Sequence, residues 1–376
     1  LKAAADPKII SFAGGLPAPE LFPVEGMKEA TDKVYAEHGQ QALQYGAAKG
    51  VTELRELILK RVKEKENVDA KLENVMVTTG SEQAIDLVGK AFVNPGDTVL
   101  VEEPTYLCAL DVFRSYGANF VSVPMDDDGM KMDALEEALK AHPETALVYT
   151  VPNFQNPTGR TMPAERRKKF AELAAKYDVP VLEDNPYGDI RFAGEHVPSV
   201  KSFDHAGKVF YMSTFSKILA PGFRLGWLVA DPKVIEKLTV LKQSADLHTD
   251  NLVQYVVTEF FKENDVDAHV KEISDLYGKR KQLMIDGIKK YFPKDVKYTD
   301  PEGGMFLWVE VPGVTDTVEL FKQCLEHNVA FVPGDPFFAG KPQPGTFRLN
   351  YSNMQEDQIE VGLKRLGEAL SQALEA

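Results

Sequence analysis

The stretch VFYMSTFSKILAPGFRLGWLVA, residues 209–230, carries the clearest signal for the fold of this chain. Two short apolar segments, Val209–Ser213 and Leu225–Ala230, are rich in residues that favour β-strands and are bounded by turn or polar residues. Between them, Lys217 follows shortly after the first segment and lies among hydroxyl side chains. The pattern predicts two strands and places a lysine near the end of the first.

Further strand patterns precede this stretch and alternate with amphipathic helical patterns. The additional strand candidates are Val75–Thr78, Thr98–Glu102, Phe120–Val123, Ala146–Thr150 and Val179–Leu182. The helix candidates between them include Glu82–Val93, Asp133–Ala141 and Ala164–Tyr177. Alternating strands and helices are typical of a mainly parallel sheet that is wrapped by helices, so we expect the α/β class.

The pattern changes in the last third of the chain. One long amphipathic helix is predicted over Val266–Phe292, followed by strand candidates at Met305–Val311, Val329–Val332 and Thr346–Asn350. We therefore expect a large domain over residues 40–275 and a smaller α+β domain formed by residues 1–39 and 276–376. No linker-like tract separates them, and the cleft between them is the expected site.

Composition narrows the class of function. The chain has 376 residues and is 44% hydrophobic, enough to bury a sizeable core. Its net charge of −14 repels nucleic acids and anionic membranes, so small molecules are the expected partners. No apolar run approaches the roughly 20 residues that span a bilayer. The two distant cysteines, Cys108 and Cys324, are expected to be buried free thiols, and the location cytoplasmic.

The neighbours of Lys217 give this residue a chemical meaning. A lone lysine is ordinarily a solvated surface charge. A lysine that forms a Schiff base must instead be partly desolvated, and the phosphate of pyridoxal phosphate (PLP) needs hydroxyl donors and a cation within reach. Thr214, Ser216 and Arg224 supply those groups around Lys217. These residue types indicate a PLP site.

A second signal is EDNPY at residues 183–187, which follows the predicted strand Val179–Leu182 at the edge where open α/β sheets bind ligands. Asp before Asn-Pro also starts turns, and the sequence leaves both readings open. In the functional reading, Asp184 pairs with the pyridine nitrogen of PLP and keeps it protonated. The phenol of Tyr187 then reaches the ring oxygen O3′.

Three weaker signals lie elsewhere. TGSEQ at residues 79–83 follows a predicted strand and precedes a predicted helix. Either the backbone N–H groups at the helix start hold a phosphate, or Gly-Ser is only a helix cap. NFQNPTG at residues 153–159 reads as a loop whose asparagines could bind a ligand. Arg348, inside a predicted strand, is unexpected unless it is paired or faces a cleft, where it would clamp a carboxylate.

Taken in order, these segments resemble the fold-type I PLP-dependent aminotransferases of class I/II, particularly the group with the 2-aminoadipate, kynurenine and aromatic aminotransferases. The likeness covers nearly the whole chain, from SFAGGLP at residues 11–17 through LQYG at 43–46 to FRLN at 347–350. It implies PLP-transferase fold type I, with a mainly parallel seven-stranded sheet in the large domain. It also implies a homodimer with shared active sites.

The resemblance carries family roles to individual residues. Lys217 matches the Schiff-base lysine, which also acts as general acid and base. Asp184 matches the partner of the pyridine nitrogen, and Tyr106 the aromatic residue that stacks on the cofactor ring. Asn156 and Tyr187 match the hydrogen-bond donors to O3′.

Further roles concern the phosphate and the substrate. Tyr45 is similar to the tyrosine that reaches the phosphate from the neighbouring subunit, and Arg348 to the clamp for the α-carboxylate. The other positions expected at the phosphate are Gly80, Ser81, Glu82, Thr214, Ser216 and Arg224. The positions expected at the substrate are Gly15, Asn156 and Arg348.

One position departs from the family pattern. Glu82 stands where relatives commonly carry glutamine beside the phosphate. Since a carboxylate there would repel a phosphate dianion, we expect only its backbone N–H to contribute and its side chain to point away. The run DDDG at residues 126–129 lacks the later ligands of a calcium loop and is expected to be a strand-to-helix turn. No histidine spacing indicates a metal, so none is expected.

The implied activity is ping-pong transamination between an amino acid and a 2-oxo acid, with 2-oxoglutarate as the usual acceptor. Aromatic, branched-chain and 2-aminoadipate donors stay open. The loop over residues 14–24 offers no Lys or Arg for a distal carboxylate, only Leu16, Leu21 and Phe22, which either contact the substrate or pack in the core. Neutral donors are therefore expected to react at least as fast as acidic ones. The alternatives are the aminotransferase-like domain of a PLP-dependent transcription regulator, and a PLP lyase of the same fold.

Overall fold

The computed structural model describes residues 5–376 of the chain. The strands of this part are β1 (Ile10–Ser11), β2 (Val75–Thr79), β3 (Thr98–Glu103), β4 (Asn119–Asp126), β5 (Gly129–Met130), β6 (Leu147–Thr150), β7 (Val181–Asp184), β8 (Val209–Thr214), β9 (Leu225–Val229), β10 (Lys297–Tyr298), β11 (Phe306–Glu310), β12 (Val329–Ala330), β13 (Val332–Pro333) and β14 (Thr346–Asn350). The α-helices are α1 (Val24–Leu43), α2 (Thr52–Glu66), α3 (Gly80–Phe92), α4 (Leu107–Ser115), α5 (Met132–Ala141), α6 (Ala164–Lys176), α7 (Pro232–Ala245), α8 (Asn251–Glu263), α9 (Val266–Tyr291), α10 (Thr317–Glu326) and α11 (Glu356–Glu375).

The largest sheet has the strand order β2-β9-β8-β7-β6-β3-β4-β5. Neighbours from β8 through β4 pair in parallel, whereas β9 pairs antiparallel with both β2 and β8. The prediction of an α/β fold with a mainly parallel sheet is therefore confirmed. All seven predicted strands form, and an eighth, β5, joins the edge.

The extra strand corrects one expectation. The acidic run at residues 126–129 is not a strand-to-helix turn but a hairpin, because Asp126 of β4 pairs antiparallel with Gly129 of β5. Gly129 adopts a φ of 86°, a left-handed conformation that glycine tolerates best. Helix α5 begins only after this hairpin.

Both faces of the large sheet are covered by helices. Along β3, Val99 and Val101 pack in a cluster that includes side chains of α3 and α4, whereas Leu100 between them packs with side chains of α5 and α6. Successive strand residues point to opposite faces, so a strand covered on both sides must be apolar throughout. This explains the continuous apolar runs in the sequence.

The second sheet has the order β10-β11-β14-β13 and is antiparallel. The single strand predicted over Val329–Val332 is wrong, because its two ends pair with different partners. Val329 and Ala330 pair in parallel with β1, near the start of the described chain, whereas Val332 pairs with β14. Because β12 pairs with β1 and β13 pairs with β14, the residues on either side of Phe331 connect strand β1 to the second sheet.

The predicted division into two domains coincides with features of two helices but stays a prediction. The boundary at residues 39–40 lies next to a kink in α1, where His38 has a non-helical φ of −135°. The boundary at residues 275–276 lies inside the continuous helix α9. One cluster of buried side chains joins Val77 of the large sheet to Phe306 of the second sheet. In residues 5–376, no helix is long and apolar enough to cross a membrane.

Candidate active site

Residues from distant parts of the chain line one cavity of about 430 Å³. It lies where β7 and β8 end, beside the first turn of α3. Every predicted site residue except Gly80 and Tyr45 lines it: Gly15, Ser81, Glu82, Tyr106, Asn156, Asp184, Tyr187, Thr214, Ser216, Lys217, Arg224 and Arg348.

Lys217 lies three residues beyond the end of β8, and its amine faces the cavity. Its Nζ donates a hydrogen bond to the Gly15 carbonyl oxygen at 3.1 Å. Burial, together with the positive charges of Arg348 and Arg224, lowers the pKa of Lys217 to about 8, against the opposing effect of Asp184 and Glu82. An amine with this pKa is partly neutral near pH 7 to 8, the state in which it attacks a carbonyl carbon.

Asp184 ends β7 and is buried, with one carboxylate oxygen satisfied and the other not. Its Oδ2 accepts a hydrogen bond from the Tyr149 hydroxyl at 2.5 Å. Its Oδ1 is buried without a partner among the described residues. Burial raises the pKa of Asp184 to about 7, against the opposing effect of the Tyr149 hydrogen bond. An unpaired buried acceptor is costly, so this oxygen fits the protonated pyridine nitrogen of PLP.

Residues of the types that bind a phosphate also line the cavity. Ser81 lies in the first turn of α3, where N–H groups without helical partners favour an anion. Thr214 Oγ1 donates to Ser216 Oγ at 2.9 Å, which sets the two hydroxyl groups side by side. Arg224 packs against Gly80, so that a Cβ at Gly80 would overlap its guanidinium group. Gly80 therefore makes room for the cation rather than lining the cavity.

Arg348, Asn156 and Tyr187 form a hydrogen-bonded row among the residues that line the cavity. Arg348 Nη1 donates to Asn156 Oδ1 at 2.8 Å, and Asn156 Nδ2 donates to the Tyr187 hydroxyl at 3.3 Å. The guanidinium carbon lies 4.1 Å from the centre of the Phe306 ring, and its Nε has no partner among the described residues. Burial lowers the pKa of Arg348 to about 10. A buried cation with a free N–H is suited to a carboxylate.

Two expectations need correction. The Glu82 side chain does not turn away but lines the cavity, and its Oε1 accepts a hydrogen bond from the Tyr106 hydroxyl at 2.6 Å. Cys108 is not a buried structural thiol like Cys324, because it is partly exposed and lines the same cavity. Both differences involve the start of α4, where Tyr106, Leu107 and Cys108 line the cavity together with the first turn of α3.

Tyr45 lies outside the cavity and is 78% exposed. Its ring meets the ring of His248 edge-on, with centroids 5.9 Å apart. None of the loop side chains Leu16, Leu21 and Phe22 lines the cavity either, and Leu16 is exposed. The apolar side chains that do line it include Leu107, Val151 and Phe306.

The sequence reasoning missed Tyr149, which positions the Asp184 carboxylate from the neighbouring strand β6. One signal was present, because the hydroxyl of a buried tyrosine in a central strand needs a hydrogen-bond partner. Within the described range 5–376, no group of His, Cys, Asp and Glu side chains is arranged to hold a metal ion.

Comparison with known proteins agrees with this geometry. Residues 8–366 match the family model described as aminotransferase class I and II. The chain is 44% identical over 378 residues to aromatic-amino-acid aminotransferase 1 of Thermococcus litoralis, covering 100% of this chain and 91% of that protein. It is 41% identical over 374 residues to the 2-aminoadipate transaminase of Thermus thermophilus, covering 98% of this chain and 92% of that protein.

A solved structure shares the whole fold. The structure of a Pyrococcus horikoshii kynurenine aminotransferase in complex with PMP superposes with a TM-score of 0.96 and 42% sequence identity, over 100% of this chain and 93% of that one. The family model spans most of the chain, and the matches to these aminotransferases cover nearly their full length. This chain therefore belongs to the class I and II aminotransferases and is an enzyme that uses PLP as its cofactor.

Proposed function

We propose that this enzyme transfers the amino group of aromatic and branched-chain amino acids to 2-oxoglutarate, with Lys217 as its central catalytic residue. The observation that carries the proposal is the pair formed by the Lys217 amine, whose pKa is lowered to about 8, and the unpartnered Oδ1 of Asp184 in the same cavity. Two buried titratable groups that face one cavity with shifted pKa values are typical of a catalytic site.

In this proposal each residue acts on a defined group. Bound PLP supplies an electron sink for the charge that develops at the substrate Cα. Lys217 would hold the cofactor covalently through its amine and, as general acid and base, would move the proton at the substrate Cα. Asp184 holds a proton on the pyridine nitrogen, and Arg348 binds the α-carboxylate. Ser81, Thr214, Ser216 and Arg224 hold the phosphate.

The charges in the cavity support neutral donors. The cations among its lining residues are Lys217, Arg224 and Arg348, and each already has a role in the proposal. No further lysine or arginine lines the cavity to pair with a distal carboxylate, whereas Leu107 and Phe306 offer apolar surface. An apolar pocket discriminates by only about 1–3 kcal/mol per methylene, so the donor range is broad.

We also infer a homodimer in which Tyr45 reaches the partner's cofactor. Leu43, Tyr45 and Leu247 are 66%, 78% and 47% exposed, and the contact between Tyr45 and His248 places the three in one region. Large apolar side chains that are exposed together mark an interface. The cytoplasmic location inferred from the sequence stays a prediction.

A panel of half-reactions tests the activity. Each amino acid is mixed with the PLP-loaded enzyme, the cofactor absorbance is followed, and the products are identified. Conversion to pyridoxamine phosphate with release of the matching 2-oxo acid supports transamination. Release of carbon dioxide or of a side-chain fragment supports the lyase alternative, and binding without turnover supports the regulator alternative.

A further inference from the structure

The hydrogen bond between Glu82 and Tyr106 joins two helices across the wall of the cavity. Glu82 lies in the first turn of α3, and Tyr106 immediately precedes α4. The distance between the Tyr106 hydroxyl oxygen and Glu82 Oε1 is 2.6 Å. This distance is in the range of O–H···O hydrogen bonds to a charged oxygen, which are stronger than those between neutral groups. Both side chains line the cavity.

The direction of this hydrogen bond is fixed by chemistry. A carboxylate has no hydrogen to give, so the Tyr106 phenol donates its only hydrogen to Glu82. Cys108, in the first turn of α4, lines the same cavity but makes no hydrogen bond to this phenol. The Tyr106 ring is therefore held at its hydroxyl by Glu82, and that hydroxyl has no hydrogen left for a ligand.

The same two helices carry a similar bond that lies outside the cavity. One turn after Glu82, Asp86 Oδ1 accepts a hydrogen bond from the Tyr116 hydroxyl at 2.6 Å. Neither Asp86 nor Tyr116 lines the cavity. This second bond also joins α3 to the end of α4, but outside the cavity. Variants of Asp86 and Tyr116 are therefore matched controls for variants of Glu82 and Tyr106.

We propose that Glu82 is a positioning residue, whose carboxylate holds the Tyr106 ring against the face of the cofactor instead of contacting the phosphate with its side chain. The inference rests on the proposed role of the cavity. This positioning role explains why Glu82 is tolerated beside a phosphate dianion. The repulsion between the two anions is offset by the hydrogen bond that Glu82 makes to Tyr106.

The test is a double-mutant cycle on the dissociation constant of PLP, measured by equilibrium dialysis of the apoprotein of wild type, Glu82→Leu, Tyr106→Phe and the double variant. Glu82→Leu is expected to weaken PLP binding about tenfold when Tyr106 is present. In the Tyr106→Phe background it is expected to leave binding unchanged or tighten it, because it then removes only an unpaired carboxylate. The coupling of tenfold or more corresponds to about 1.4 kcal/mol, near the lower end for hydrogen bonds to charged groups.

Further variants separate positioning from folding. Glu82→Gln keeps an oxygen acceptor for the Tyr106 hydroxyl and is expected to bind PLP with a dissociation constant within about threefold of that of wild type. This variant tests the inference also if Glu82→Leu does not fold. Asp86→Leu and Tyr116→Phe are expected to lower the melting temperature without changing PLP affinity. The circular dichroism of bound PLP at saturation, which senses the neighbouring ring, is expected to change in Glu82→Leu and not in Asp86→Leu.

Three results overturn the inference. One is tighter PLP binding by the same factor when Glu82→Leu is made in either background, which would mean that Glu82 acts only by repulsion. Another is equal weakening by Glu82→Gln and Glu82→Leu. The third is an equal effect of the Asp86 and Glu82 variants on affinity. If wild-type apoprotein does not bind PLP at all, the proposed function fails instead, so the two failures are distinguishable.

Discussion

Replacing Asp184 by asparagine is expected to have opposite effects on the apoprotein and on the PLP-loaded enzyme. In the apoprotein, Asp184 is a buried carboxylate with an unpartnered oxygen, and its pKa is raised from 3.8 to about 7. At about 1.36 kcal/mol for each pKa unit, this rise corresponds to roughly 4 kcal/mol that the folded chain loses by holding the charge above pH 7. Asp184→Asn removes that charge, so the apoprotein of the variant is expected to be more stable, by about 1–4 kcal/mol.

The pH dependence of this gain follows from the direction of the shift. Below about pH 4 the carboxyl group is protonated in both the folded and the unfolded chain, and the contribution of its ionisation vanishes. Between about pH 4 and pH 7 the unfolded chain loses the proton while the folded chain keeps it, so wild type loses stability relative to the variant. Above about pH 7 both are ionised and the difference stays constant. Urea unfolding of the two apoproteins at a series of pH values measures this curve.

With PLP present, the sign reverses. The variant offers a neutral partner to the pyridine nitrogen, so a hydrogen bond to a charged group, worth about 1.5–3 kcal/mol, is lost. The dissociation constant of PLP is expected to rise by about 10- to 100-fold, and removal of the Cα proton in a single turnover to slow by orders of magnitude, because an unprotonated pyridine is a poor electron sink.

Glu183→Gln is the matched control for Asp184→Asn. Glu183 is the neighbouring residue of β7, is buried, and has a pKa raised by burial to about 7, but it accepts hydrogen bonds from the backbone of Val200 and Lys201 and does not line the cavity. The control is expected to change stability and to leave PLP affinity unchanged. An effect of Asp184→Asn on PLP affinity and turnover below about threefold, about 0.7 kcal/mol, removes Asp184 from the proposed role.

Three further predictions concern the anchor, the dimer and the substrate. Lys217→Ala is expected to abolish turnover and the absorbance of covalently held PLP while some non-covalent binding persists; near-normal catalysis contradicts the assignment. Tyr45→Phe is expected to raise the dissociation constant of PLP in a protein that sediments as a dimer, and an active monomer speaks against the shared site. In single turnovers, leucine and phenylalanine are expected to react at least as fast as glutamate and 2-aminoadipate. A rate with 2-aminoadipate more than about 100-fold above the neutral donors, roughly 2.7 kcal/mol, contradicts a cavity without a spare cation.

The parts of the fold that the sequence predicted are those fixed by burial along one element. The strands of the large sheet were predicted to within about three residues, since each must be apolar on both faces. Strand ends were less certain. Asp184 was placed after its strand because the polar residues that begin at Glu183 were taken to bound the apolar run, yet β7 continues through Asp184. The Tyr149 hydroxyl makes this possible by satisfying one of its oxygens.

What the sequence did not predict depends on contacts between elements. The split between β12 and β13 follows from two partners that lie far apart in the chain. The direction of the Glu82 side chain was inferred from the phosphate alone, whereas it is set by the phenol of Tyr106 at the start of another helix. A local pattern contains no information on which hydroxyl group a carboxylate meets across a cavity.

The charges around Lys217 also indicate how the site changes as it fills. Arg348 and Arg224 both lower the pKa of the Lys217 amine, whereas Asp184 and Glu82 raise it. In the proposed site, a phosphate neutralises Arg224 and a substrate carboxylate neutralises Arg348. Each anion would remove a positive charge that disfavours protonation of the amine, whereas a protonated pyridine paired with Asp184 would remove a negative charge that favours it. In the empty site the pKa of about 8 leaves part of the Lys217 amine neutral at neutral pH, the state in which it can capture the cofactor.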